Sequence, residues 1–358
     1  MPSLKEIKGR INSISSTLAI TSAMKMVASA KLQKAQMAIQ NMLPYERRLY
    51  SMLLDLMGAM NISAAASEDG SVRGSGSAER GFDQSGDRLS LSNRHDLAGM
   101  DGAYSLMAQR EVRKVAIVAF ASNSSLCGAF NSNAIREATA VINEYRASGL
   151  RDSDIVVYSV GRKMAEAMRK LGFPSPADFT KMSDSPSYEA ASALAQELLD
   201  GFVSGRFDKV ELVYNHYKST SSQPTTRQTY LPLSLADATA DLQAGKIADS
   251  ASESDTNRGA EPVGAPVVRQ GSPTTEDLIV EPSKEALIAT LLPKVIRLRV
   301  FTTLLDSAAA EHAARTVAMQ LATDNGNDLL QELTLEYNKG RQQKITSEIL
   351  DLVGGSMQ

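Results

Sequence analysis

Residues 4–18 read LKEIKGRINSISSTL and place Leu4, Ile7, Ile11, Ile14 and Leu18 at alternating spacings of three and four. Apolar residues spaced this way line one stripe of an α-helix, the seam along which a second helix packs. The pattern continues, less cleanly, through Ala28, Leu32, Ala35, Ile39, Met42, Leu49, Leu53, Leu56 and Met60, with Thr21, Lys25 and Glu46 interrupting it. Residues 1–60 are therefore expected to hold a single helix of roughly 85 Å, kinked at Pro44.

A second helical run closes the chain, at residues 283–358. Ser283 with Glu285 suits a helix start with an acidic first turn. Pro293 is expected to kink or interrupt the early part, and Gly354-Gly355 to stop the helix. At about 1.5 Å per residue the run spans about 105 Å. Helices of this length with one apolar stripe are not stable alone in water. An antiparallel coiled coil of the two termini satisfies both, and leaves a rod whose far tip needs a surrounding partner.

Between them, residues 106–235 alternate strand and helix patterns. VRKVAIVAFAS (112–122), DIVVYSVG (154–161), DKVELVYNHYKS (208–219) and TRQTYLPLS (226–234) read as strands, the last two adjacent. Residues 128–149, 162–172 and 187–205 read as helices. The alternation predicts a partly parallel, Rossmann-like sheet covered by helices, an α/β class domain. Two stretches flank this domain: 61–105, rich in Ser and Gly, reads as a flexible insertion, and 236–282 as a second, low-complexity insertion.

Composition narrows the function. The chain has 358 residues, is 43% hydrophobic and 5% aromatic, and carries 15 Met and no Trp. Alanine and methionine in place of aromatics suit helix-on-helix packing. A net charge of -3 gives no reason to expect nucleic acid. One cysteine excludes an internal disulfide, and the widely separated His95, His216 and His312 make a metal site a poor reading. No secretory signal or window of 18 apolar residues is visible, so the chain is expected to be soluble and intracellular.

Three stretches carry candidate chemistry. SNSSLCGAFN (122–131) holds Cys127, with no ionisable neighbour to make a thiolate. It lacks the GK[ST] ending of a phosphate loop. Packing at a strand-to-helix junction is the better reading. Residues 1–43 carry Lys5, Lys8, Arg10, Lys25, Lys31 and Lys34 against Glu6 alone. That run is either a solvated face or a track for an acidic protein surface. NKGRQQKIT (338–346) sets Gln342 and Thr346 on one face beside Gly340. It is either a plain helix end or a place where a partner approaches closely. With no carboxylate pair, triad or metal cluster, the residues alone give a coiled-coil interaction protein with a globular head.

Residues 4–36, SLCGAFN (125–131) and 309–355 resemble, in the right order, the signature regions of the gamma subunits of F-type ATP synthases. The match spans about three quarters of the chain. The resemblance implies a non-catalytic rotor without cofactors. The terminal helices would form a curved shaft inside a ring of three alpha and three beta subunits. The α/β domain would sit with the epsilon subunit on the membrane ring of c subunits, on the cytoplasmic face of a bacterial inner membrane. It further implies that Met24, Lys25, Lys31 and Lys34 face an acidic loop of beta, and that Arg341, Gln342 and Thr346 hydrogen-bond to beta. Ala19 stands where the family usually has lysine, and Asn123-Ser124-Ser125 where it usually has Asp-Arg-Gly. A free coiled-coil adaptor, recruiting acidic partners through the basic helix, is the competing reading.

Overall fold

The computed structural model describes residues 3–59, 106–233, 281 and 284–356. The stretches expected to be insertions, and the Ser283 helix start, lie outside the described residues. Helix α1 spans Leu4–Ala59 and helix α6 spans Lys284–Ser356. Both run through their prolines, Pro44 and Pro293, without interruption. Proline at 44 frees the carbonyl of Gln40, an exposed residue that water can satisfy. Gly354-Gly355 does not stop α6, which continues to Ser356.

The two helices pack antiparallel. Leu18 meets Gly326, Leu4 meets Gly340, and Thr323 donates to Thr21 at 3.2 Å. The seam of α1 holds every expected apolar position from Leu4 to Leu56 in buried or half-buried surroundings. The three interruptions also lie on it. Thr21 pairs with Thr323, and Lys25 is half-buried. Glu46 is 4% exposed, accepts from Thr302 at 3.2 Å and lies 4.0 Å from Arg299. On α6 the matching positions are Met319, Thr323, Gly326, Leu330, Leu333, Tyr337 and Gly340. A Cβ at Gly326 would sit 2.7 Å from Leu18 Cδ2, and one at Gly340 would sit 3.1 Å from Leu4 Cδ2. The close approach expected at Gly340 is therefore made by Leu4 of the same chain.

The head is a four-stranded sheet in the order β2-β1-β3-β4. β1 (Val115–Phe120) lies parallel to β2 (Ile155–Val160) and β3 (Lys209–Asn215). β4 (Thr225–Leu231) runs antiparallel to β3. Helices α2 (Phe130–Ala147) and α3 (Arg162–Lys170) cover one face, and α5 (Tyr188–Val203) the other. A short α4 (Thr180–Asp184) was not anticipated by the pattern, being only five residues long. Side chains of β1 alternate between two cores, as the pleat requires. Val115, Ile117 and Ala119 join α2 and α3, while Ala116, Val118 and Phe120 join α5 and the terminal helices. That second core takes in Leu49, Leu53 and Leu56 of α1 and Ile288, Leu292, Val295 and Leu304 of α6. Head and rod thus share one hydrophobic interior at the rod's lower end.

Candidate functional site

Parallel α/β sheets bind nucleotides in the crevice beyond the strand ends, where a helix N-terminus offers free N–H groups. Here that crevice holds the chain's own side chains. Asn123 Oδ1 accepts from the Arg162 N–H at 2.7 Å, at the start of α3, while its Nδ2 donates to the Thr180 carbonyl. Ser183 Oγ donates to the Ala121 carbonyl at 3.0 Å. Gly161, at φ 99°, lies so close that a Cβ would fall 2.0 Å from the Ala121 oxygen. Asparagine at 123 is thus the residue that caps α3 in place of an anion.

Cys127 is 2% exposed and packs on Phe130 and Ala310. Its sulfur accepts from Asn131 Nδ2 at 3.1 Å. It fills space under α6 at the end of β1, the packing role expected. The preceding serines are held from α6: Arg315 donates to the Ser125 carbonyl at 2.6 Å and to Ser124 Oγ at 2.9 Å. Arg315 also pairs with Glu311 at 2.7 Å. Burial raises the Glu311 carboxyl above its ordinary value, against the pull of Arg315. Burial first, then Lys31 and Arg315, push His312 down to about 4, so it is neutral at pH 7.

The expected contact residues fall at two levels of the rod. Met24 is 41% exposed, and Lys31 and Lys34 are exposed; Lys31 lies on the same stripe of α1 as Met24, and Lys34 is turned about 80° from Met24. Lys25 is turned about 100° from Met24 and is half-buried on the seam. Arg341, Gln342 and Thr346 are exposed on the part of α6 that extends past Leu4. Thr346 donates its hydroxyl to the Gln342 carbonyl at 2.9 Å. In the antiparallel register Met24 lies near residue 320, so the two groups are separated by about 30 Å of helix. The structure does not gather them into one site; it displays two bands on a rod.

The sequence did not single out the exposed apolar surface of the rod. Exposed apolar side chains run along the rod: Ile20, Met26, Val27 and Met37 on α1, and Leu321, Leu329 and Leu335 on α6. At the tip Ile345, Ile349, Leu350, Leu352 and Val353 are exposed. Exposed apolar side chains in this number are surface that a partner could cover. The seam itself is filled by the other terminal helix, so it is not free to dimerise as an adaptor's would. No helix among the described residues is long and apolar enough to cross a membrane, and no cluster of metal-binding groups occurs among them.

Comparisons with known proteins agree with this geometry. A family model described as ATP synthase matches residues 3–357. An ATP synthase gamma chain of Phocaeicola vulgatus is 47% identical, with 100% of both chains covered. Those of Parabacteroides distasonis and Flavobacterium johnsoniae are 39% and 35% identical, each over 99% of this chain and 99% and 98% of their own. Among solved structures, a chain of the Euglena gracilis mitochondrial ATP synthase aligns with a TM-score of 0.52 at 19% identity, covering 99% of this chain and 93% of that one. A second, from the rotor of the same enzyme, gives 0.51 at 19% identity, covering 96% and 98%. This chain belongs to the ATP synthase gamma chain family.

Proposed function

We propose that this chain is the central shaft of an F-type ATP synthase, a non-catalytic subunit that turns inside a ring of three alpha and three beta subunits. The observation that carries this is the rod itself. Two helices leave a folded head, close their seam on each other, and still expose apolar residues to the tip. A surface of that kind needs a sleeve. One asymmetric chain inside a threefold sleeve must meet three identical subunits differently. Each subunit is then biased toward a different conformation, because only differential contact shifts such an equilibrium. Rotation of the rod passes those states around the ring.

In this reading Met24, Lys25, Lys31 and Lys34 meet an acidic loop of beta. Arg341, Gln342 and Thr346 hydrogen-bond to beta at the upper level. The head, with its core fused to the lower rod, rests with the epsilon subunit on the ring of c subunits. The chain is peripheral to the membrane, on the cytoplasmic face of a bacterial inner membrane. Purified alpha and beta subunits mixed with this chain test the reading. A stable complex of three alpha, three beta and one copy of this chain, with sustained ATP turnover, is expected. Failure of the chain to join the ring or change its rate would overturn it.

A further inference from the structure

Below Leu304 the head and both terminal helices share one core. Beyond it their contact narrows to small clusters. One joins Leu32 of α1 to Ala309 and Ala313 of α6; the other joins Cys127 and Phe130 of the head to Ala310. Tyr217 packs against both. It stands two residues past β3, a strand paired on both sides. Its hydroxyl accepts from Gln36 of α1 at 2.6 Å. Its backbone N–H donates to Asp306 Oδ1 of α6 at 2.8 Å, while the other oxygen of that carboxylate lies 2.6 Å from His216 Nδ1. One residue of the head therefore grips both helices, by ring, hydroxyl and backbone, at the level where they leave it.

We propose that Tyr217, with Asp306 and Gln36, is a torsional brace that transmits twist between the head and the coiled coil. This rests on the shaft reading above. If the two helices turn relative to the sheet, Tyr217 must slide out of packed clusters and shear hydrogen bonds to each helix. Packed contacts of that kind resist small displacements and do not yield gradually. Arg315, held to Ser124 and Ser125, is a second brace about 13 Å further along α6. One turn further on, Ala318 still lies against Gly128 of the head, and past that level the described rod is held by its own seam. Tyr217 is thus a positioning residue: it makes no bond to a nucleotide and acts by fixing the angle of the rod.

The test uses the chain assembled with alpha and beta subunits, the ring held on a surface and a bead on the head. Torsional stiffness is read from the bead's angular fluctuations while the ring is stalled. For Tyr217→Ala the stiffness is expected to fall below that of the wild type, since one joint between head and rod is lost while the shared core and Arg315 remain. Tyr217→Phe keeps the ring and is expected to restore most of it. Asp306→Ala is expected to lower the stiffness, and to add little on top of Tyr217→Ala, because both cut the same joint. ATP hydrolysis by the ring stays within about twofold in all of these, while ion pumping per ATP falls in complete membrane complexes. Unchanged stiffness in Tyr217→Ala complexes that assemble and turn would overturn the brace. If that variant does not assemble, Asp306→Ala alone must show the fall, and its absence there would likewise overturn it. A wild-type chain that joins the ring but never rotates would defeat the shaft reading itself, and the brace with it.

Discussion

At the scale of single residues, close packing and burial set the sharpest expectations. Gly326 admits the end of Leu18, whose Cδ2 would lie 2.7 Å from a Cβ there and must shift to admit one. Gly326→Ala removes a helix-weakening glycine worth about 1 kcal/mol, so it is expected to be near neutral. Gly326→Val overfills the seam and is expected to destabilise by about 1–3 kcal/mol. Thermal unfolding of the assembled complex separates the two. In the head, Glu211 is 1% exposed and is held by Arg227, Lys209 and the Tyr145 hydroxyl. Burial raises its carboxyl, but these partners outweigh that and hold it below its ordinary value. Glu211→Ala takes the partner from the half-exposed Lys209, leaves Arg227 with Glu144 alone and removes the acceptor of the Tyr145 hydroxyl, with an expected loss of about 1–3 kcal/mol, read from the same unfolding curves. His312 gives a pH dependence. Its folded value of about 4 lies below the ordinary 6.5, so on acidification the unfolded chain takes up the proton first. The stability it contributes is present above 6.5 and is lost as pH falls toward 4. Glu311, raised by burial, works in the opposite sense. His312→Gln is expected to flatten the acid loss between about pH 7 and pH 4, seen by repeating the unfolding curves across that range.

At the scale of elements, the rod was the most legible part of the sequence, because a spacing of three and four is a local property. Leu4 to Leu18 alone define the seam, and the structure extends it through both helices. The polar interruptions were legible as positions but not as partnerships. Nothing local to Glu46 names Thr302, and nothing local to Thr21 names Thr323. The strands were read from their apolar runs, and Asn123 as a departure from the family pattern, but its capping of α3 depends on two strand ends meeting. Tyr217 and Asp306 were missed for the same reason: each looks ordinary until β3 and α6 are side by side. Gly340 was read as part of a plain helix end or as a place where a partner approaches closely, and the side chain against it is Leu4, from the opposite end of the same chain. The exposed extension of α6 carries its own prediction. Arg341→Ala with Gln342→Ala is expected to lower ATPase turnover or ion pumping while leaving unfolding unchanged, since both side chains are exposed. Normal rates and normal pumping in that double variant would refute the assigned beta contact.

At the scale of the whole molecule, the division of labour follows from where the cores lie. The head and the lower rod form one interior, so they move together. The upper rod has a filled seam and an exposed apolar surface, so it is stiff along its axis and yet incomplete alone. A chain built this way transmits a rotation without forming or breaking covalent bonds, and its nucleotide-type crevice is closed by its own asparagine and serine side chains. The most direct measurement attaches a bead to the head of this chain, assembled in an immobilised ring of alpha and beta subunits, and adds ATP. Sustained rotation in one direction, pausing at three angles per turn, is the predicted result. A chain that binds the ring and supports ATP turnover while the bead shows only random angular motion would contradict the account.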